Sequence, residues 1–137
     1  MTKLEFINLT EKLMLEQGGA CFGEGKYYAY RHMDRGCAIG VHLSREICDA
    51  LARNTILSRP LADAVYVYPP MLYFLLALVP GAFLDFFVDV QDMHDSYRSG
   101  HGAWTYHIRT KADELRTKYA DAPINAPATP EPELTYA

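Results

Sequence analysis

The sequence predicts a mainly α, α+β domain in which four to six helices pack around one short β-hairpin near residues 26–43. Two observations predict it. Apolar residues recur at three- and four-residue spacing on both sides of that stretch, in segments cut to helix length by Gly, Pro and Ser. Between them, Lys26-Tyr27-Tyr28-Ala29-Tyr30-Arg31 is dense in aromatic residues that favour extended chain.

The elements follow in order. Thr2-Lys3-Leu4-Glu5 fits a capping box, with Thr2 as N-cap and Glu5 reaching back. Leu4, Ile7, Leu9, Leu13 and Met14 then follow near helical spacing, and Gly18-Gly19 supplies a stop, so a helix is expected over 3–17. Gly23-Glu24-Gly25 reads as a turn into the strand 26–31, and Met33-Asp34-Arg35-Gly36 as a second turn. Cys37 to Leu43 is then the returning strand. Ser44 is a good N-cap for a helix carrying Ile47, Cys48 and Leu51 and ending near Asn54. Ser58 and Pro60 suit the start of another short helix, Tyr66 to Pro70 reads as irregular or extended, and Met71 to Val79 as a helix apolar nearly all round.

Pro80-Gly81 resets the chain. Phe83, Phe87, Val90, His94 and Tyr97 line one face of the next helix, with Asp85, Asp89, Asp92 and Ser96 on a solvated opposite face. A turn at 98–102 leads to a last helix with the stripe Trp104, Ile108, Ala112, Leu115 and Tyr119. The expected core is Leu13, Ile39, Ile47, Leu51, Leu75, Phe83, Phe87, Val90, Trp104, Ile108 and Leu115. Residues 1–120 form one globular domain on this reading, and Pro123, Pro127, Pro130 and Pro132 mark 121–137 as a disordered tail.

Composition bounds the function. At 137 residues the chain is long enough for a real core and too short for two ordinary domains. A net charge of −4, from 13 basic and 17 acidic residues, has the wrong sign for a generic nucleic-acid binder. The three cysteines are odd in number, and Glu5 and Glu11 interrupt any secretory apolar region, so a cytoplasmic protein with reduced thiols is expected. Cys21, His32, Cys37 and His42 lack zinc-motif spacing, and neither a metal nor a cofactor is expected. Residues 64–84 carry no formal charge, but Pro69, Pro70, Pro80 and Gly81 break them, which favours buried helices over a membrane span.

Two sets of residues could carry chemistry. Gln91, His94 and Asp95 stand at i, i+3 and i+4 and share one patch. With Cys37 brought near, His94 and Asp95 would supply the base and carboxylate of a nucleophilic hydrolase. The alternative is structural, with His94 anchoring a turn and Cys37-Ala38-Ile39-Gly40 packing close on a helix. The second set, Tyr28, Tyr30, Arg31 and Arg35, places aromatic faces beside cations that could stack a base and hold a phosphate; a small-ligand or nucleotide sponge would use Tyr28, Tyr30, Arg31 and His94, and Gln91 is a further binding candidate. Ordinary sheet packing explains the tyrosines equally well.

The ordered pattern Cys21, Tyr28 or Tyr30, Arg31, Cys37-Ala38-Ile39-Gly40, Gln91, His94-Asp95 and Trp104 resembles a loose family of small uncharacterised phage and prophage proteins. That resemblance covers about residues 20–120 and implies a small accessory gene of viral type, with no activity attached. The expected function is therefore binding of a host protein or protein complex, for instance to inhibit a bacterial defence system. The apolar segment 66–79 is expected to serve that contact or a homodimer, and an enzymatic role is the less favoured reading.

Overall fold

Capping fixes the first helix, α1 (Lys3–Gln17). The Thr2 hydroxyl accepts from the Glu5 amide at 3.1 Å while the Glu5 carboxylate accepts from the Thr2 amide at 2.8 Å. Gly18 ends the helix at φ 79°, a left-handed conformation that costs glycine little. The computed structural model describes residues 1–21, 30–32, 34–54, 60–97 and 103–120. Tyr28, the expected turns at 23–25 and 98–102, and the expected tail 121–137 lie outside the described residues.

After α1 come β1 (Arg31–His32), β2 (Arg35–Gly36), a 3-10 turn (Gly40–His42), α2 (Arg45–Arg53), α3 (Leu61–Val67), α4 (Pro69–Leu78), α5 (Leu84–Asp95) and α6 (Trp104–Lys118). The protein is thus mainly helical with a small antiparallel hairpin, as its sequence predicts. The two strands pair Arg31 with Gly36 and His32 with Arg35.

Four expectations are corrected. Cys37–Leu43 is not the returning strand: the hairpin closes earlier, and Cys37 turns the chain into the 3-10 segment. The reason is local bonding: Val41 donates to the Cys37 carbonyl at 3.1 Å, His42 to Ile39 at 3.0 Å and Leu43 to Gly40 at 3.1 Å, bonds that an extended strand cannot make. Tyr66–Pro70 is not an irregular stretch either. Only Tyr68 separates α3 from α4, which meet at a bend of 114°. Pro69 and Pro70 occupy the first turn of α4, where missing amide donors are tolerated.

Phe83 is 73% exposed rather than part of the core, because it caps α5 in an extended conformation and so falls off the helical stripe; Phe86 takes its place. In α1 the buried face is Phe6, Ile7, Thr10 and Met14, with Leu13 half-buried and Leu4 exposed. The stripe of α6 is buried as predicted at Trp104, Ile108, Ala112 and Leu115.

Packing is centred on α5 and α6. α1 lies mainly on α6, while α5 packs on α6 and α3. Trp104 enters the core and donates its indole N–H to the Met14 carbonyl at 2.8 Å, joining α6 to α1. At the surface, Arg116 of α6 reaches Glu11 of α1 at 2.8 Å. Phe6, Phe86 and Phe87 meet with ring centroids 5.3–5.9 Å apart, in tilted and edge-on arrangements. No single helix among the described residues is long and apolar enough to cross a membrane.

Candidate functional site: a buried polar latch and two surface clefts

α5 presents Gln91, His94 and Asp95 on one patch, as the i, i+3, i+4 spacing predicts, and the fold brings Cys37 to it. Gln91 spans two turns of chain. Its amide oxygen accepts from the Ile39 N–H at 2.9 Å, and its amide nitrogen donates to the Cys37 sulfur at 3.0 Å and to Asp95 Oδ2 at 3.3 Å. Cys37 also accepts from the Gly40 N–H at 3.3 Å, so the thiol closes its own turn. The segment Cys37–Gly40 is wholly buried, which explains its small residues.

His94 is 0% exposed, and both ring nitrogens are engaged. The Cys21 amide donates to Nε2 at 2.8 Å, so that nitrogen carries no proton. Nδ1 therefore holds the ring proton and donates to Asp95 Oδ1 at 2.7 Å. An edge-on contact with Trp104 at 6.0 Å completes the enclosure.

This geometry opposes the hydrolase reading of Cys37, His94 and Asp95. A base needs a free lone pair directed at the thiol, and the lone pair of His94 is spent on backbone. A nucleophilic cysteine needs a stabilised thiolate. Burial first, and the Asp95 carboxylate second, instead hold the Cys37 thiol far above its ordinary range, against the lowering influence of Gln91 and the Gly40 and Ile39 amides. Chemically, the cluster ties α5 to two loops. Cys21 behaves alike: burial raises its thiol to about 11 although Arg31 and Arg35 pull it down.

The second set is divided. Tyr30 lies in the core, so its ring cannot stack a ligand. Gln91, also a binding candidate, is consumed by the latch. Arg31 and Arg35 remain at the surface, half-buried and exposed respectively, and both line a cleft of about 500 Å³ between α1 and the hairpin.

A second cleft of about 550 Å³ lies among α3, α5 and α6 and is rich in carboxylates. One of them, Asp89, was expected on a purely solvated face but accepts from Lys118 at 2.7 Å and from the Tyr119 hydroxyl. Burial would raise its carboxyl, and these two bonds outweigh that and lower it. Among the described residues no three His, Cys, Asp or Glu side chains gather as metal ligands would.

Sequence reasoning missed two supporting groups. Gln17 clamps β2 from the end of α1, donating to the Gly36 carbonyl at 2.7 Å and accepting from the Gly36 amide at 3.0 Å. Thr10 donates its hydroxyl proton to the Phe6 carbonyl and accepts from His42 Nε2, each at 2.7 Å, and His42 stacks on Phe6 at 4.1 Å. A polar Thr10 on the apolar face of a helix was the available signal for the second.

Neither a family model, nor a curated protein, nor a solved structure matches the chain.

Proposed function

We propose that this protein is a non-enzymatic, phage-type accessory protein that acts in the host cytoplasm by binding a host protein, as inhibitors of bacterial defence systems do. The observation that carries the binding mode is the α3–α4 corner. Around its bend Tyr66 is 87% exposed, Tyr73 67% and Val67 47%. Exposed tyrosines flanked by aliphatic residues bury much area at low entropic cost when a partner covers them. The viral setting is supported by the sequence pattern, and the non-enzymatic reading by the way the latch uses up Cys37, His94 and Asp95. Homodimerisation would use the same 66–79 face.

The test pairs wild type with a Tyr66→Asp/Tyr73→Asp variant. Both positions are exposed, so the variant is expected to keep its melting temperature within a few degrees. Capture from host lysate should yield one stoichiometric partner with wild type and none with the variant. Light scattering on purified wild type should give 15.5 kDa; a dimer abolished by the variant assigns the face to self-association instead. Equal capture by both proteins, or iodoacetamide labelling of native Cys37 faster than Cys48, would overturn the proposal.

A further inference from the structure

The cleft between α1 and the hairpin holds two arginines that no part of the foregoing function uses. Each is seated. Arg31 Nη1 donates to the Gly40 carbonyl at 3.3 Å, and Arg35 Nη1 to the Ala20 carbonyl at 3.1 Å. Glycines make room for both: an added Cβ would lie 2.9 Å from Arg31 Cδ at Gly36 and 2.7 Å from Arg35 Nη1 at Gly19. The side chains are thus laid in place, at a lower ordering cost than free surface arginines would have.

Among the described residues neither guanidinium forms an ion pair with a carboxylate. A guanidinium carries five N–H donors, and one backbone carbonyl each leaves most of them unspent. The cleft also contains Glu16 and Asp34. Glu16 is engaged by Lys12 at 2.9 Å, so Asp34 is the one carboxylate there without a salt bridge among the described residues. Both arginines act on the adjacent Cys21 thiol in the direction a positive field requires.

We propose that this cleft binds the phosphate group of a small phosphorylated molecule, with Arg31 and Arg35 of its lining as the cationic donors. A phosphate offers several acceptor oxygens to planar, charged donor forks, the pairing arginine makes best. About 500 Å³ accommodates a small metabolite, and Leu13 and Val41 offer apolar wall to whatever the phosphate carries. Asp34 opposes the anion and sets a limit on affinity.

The experiment is calorimetric titration of the full chain with inorganic pyrophosphate, then with adenosine monophosphate, against sodium chloride at matched ionic strength. Saturable one-to-one binding is expected, weakening with salt. Arg35→Gln, at an exposed site, should weaken it by about tenfold, and Arg31→Gln/Arg35→Gln should abolish it. Asp34→Asn should tighten it. Because Arg31 supports Gly40, far-UV circular dichroism checks that double variant; if it is unfolded, Arg35→Gln and Asp34→Asn decide. Tighter binding of adenosine monophosphate than of pyrophosphate would show that the carried group contributes. The proposal falls if neither anion saturates at millimolar concentration, if Arg35→Gln binds like wild type, or if Asp34→Asn weakens binding.

Discussion

Replacing Gln91 with leucine would test whether the latch holds the fold. Gln91 is only 8% exposed, and its amide meets three groups on two segments of chain. Leucine keeps most of the volume and none of the bonds. The Ile39 N–H would be left buried without its acceptor, at a cost of about 1–3 kcal/mol. Losing the donations to Cys37 and Asp95 adds about 0.5–1.5 kcal/mol each, and burial of the leucine methyl groups returns part of this. The net loss should be about 2–4 kcal/mol out of a total of about 5–15. At about 4 °C per kcal/mol for a domain of this size, the melting temperature should fall by about 8–16 °C.

Thermal unfolding followed by circular dichroism measures that fall, and amide hydrogen exchange localises it, since the Ile39 amide should exchange faster in the variant. Gln91→Glu is the companion. It keeps an acceptor for Ile39 but sets a second carboxylate beside Asp95, so it should be unstable at neutral pH and recover as pH falls. A Gln91→Leu protein that melts within a degree or two of wild type, with the Ile39 amide still protected, would refute the reasoning.

Two further outcomes follow. Burial lowers the His42 imidazole from 6.5 to about 4, so the unfolded chain binds more protons in that window; stability should be full above pH 6.5, decline as pH falls from there and level off below about 4. The decline, about 3 kcal/mol, should be present in wild type and absent from His42→Phe in denaturant titrations across that range. Trp104→Ala should cost about 3–5 kcal/mol, by cavity formation and loss of the bond to Met14, whereas Trp104→Phe, which loses the bond and keeps most of the ring, should cost less than half of that in the same titration.

What could be read from the sequence was whatever is decided within a few residues. The Thr2–Glu5 box, the Ser44 cap and the α6 stripe each depend on spacings of three or four, and each forms as expected. The close approach of Gly40 to the Tyr30 backbone joins residues ten apart in sequence, and no local pattern carries that information. Phe83 misled because a stripe extrapolated past a helix end loses its geometry at the N-cap. In the latch, the grouping of Gln91, His94 and Asp95 was legible, but the direction of each hydrogen bond was not. That direction depends on the backbone amide of Cys21, supplied from 73 residues away.

The contrast between the two candidate sites follows from burial. Residues with the names of a catalytic triad become structural when every lone pair meets a backbone amide or a buried side chain, because a buried polar group left unpaired costs about as much as the fold can spare. His94 with its two partners and Cys37 with its two donors satisfy that requirement, and doing so removes the free lone pair and the stabilised thiolate that catalysis needs. Arg31 and Arg35 show the opposite case. Among the described residues each spends one donor on a backbone carbonyl, and both line an open cleft. Recognition chemistry should therefore be sought at the hairpin arginines and the α3–α4 tyrosines, and the Cys-His-Asp cluster should answer to stability measurements rather than to substrates.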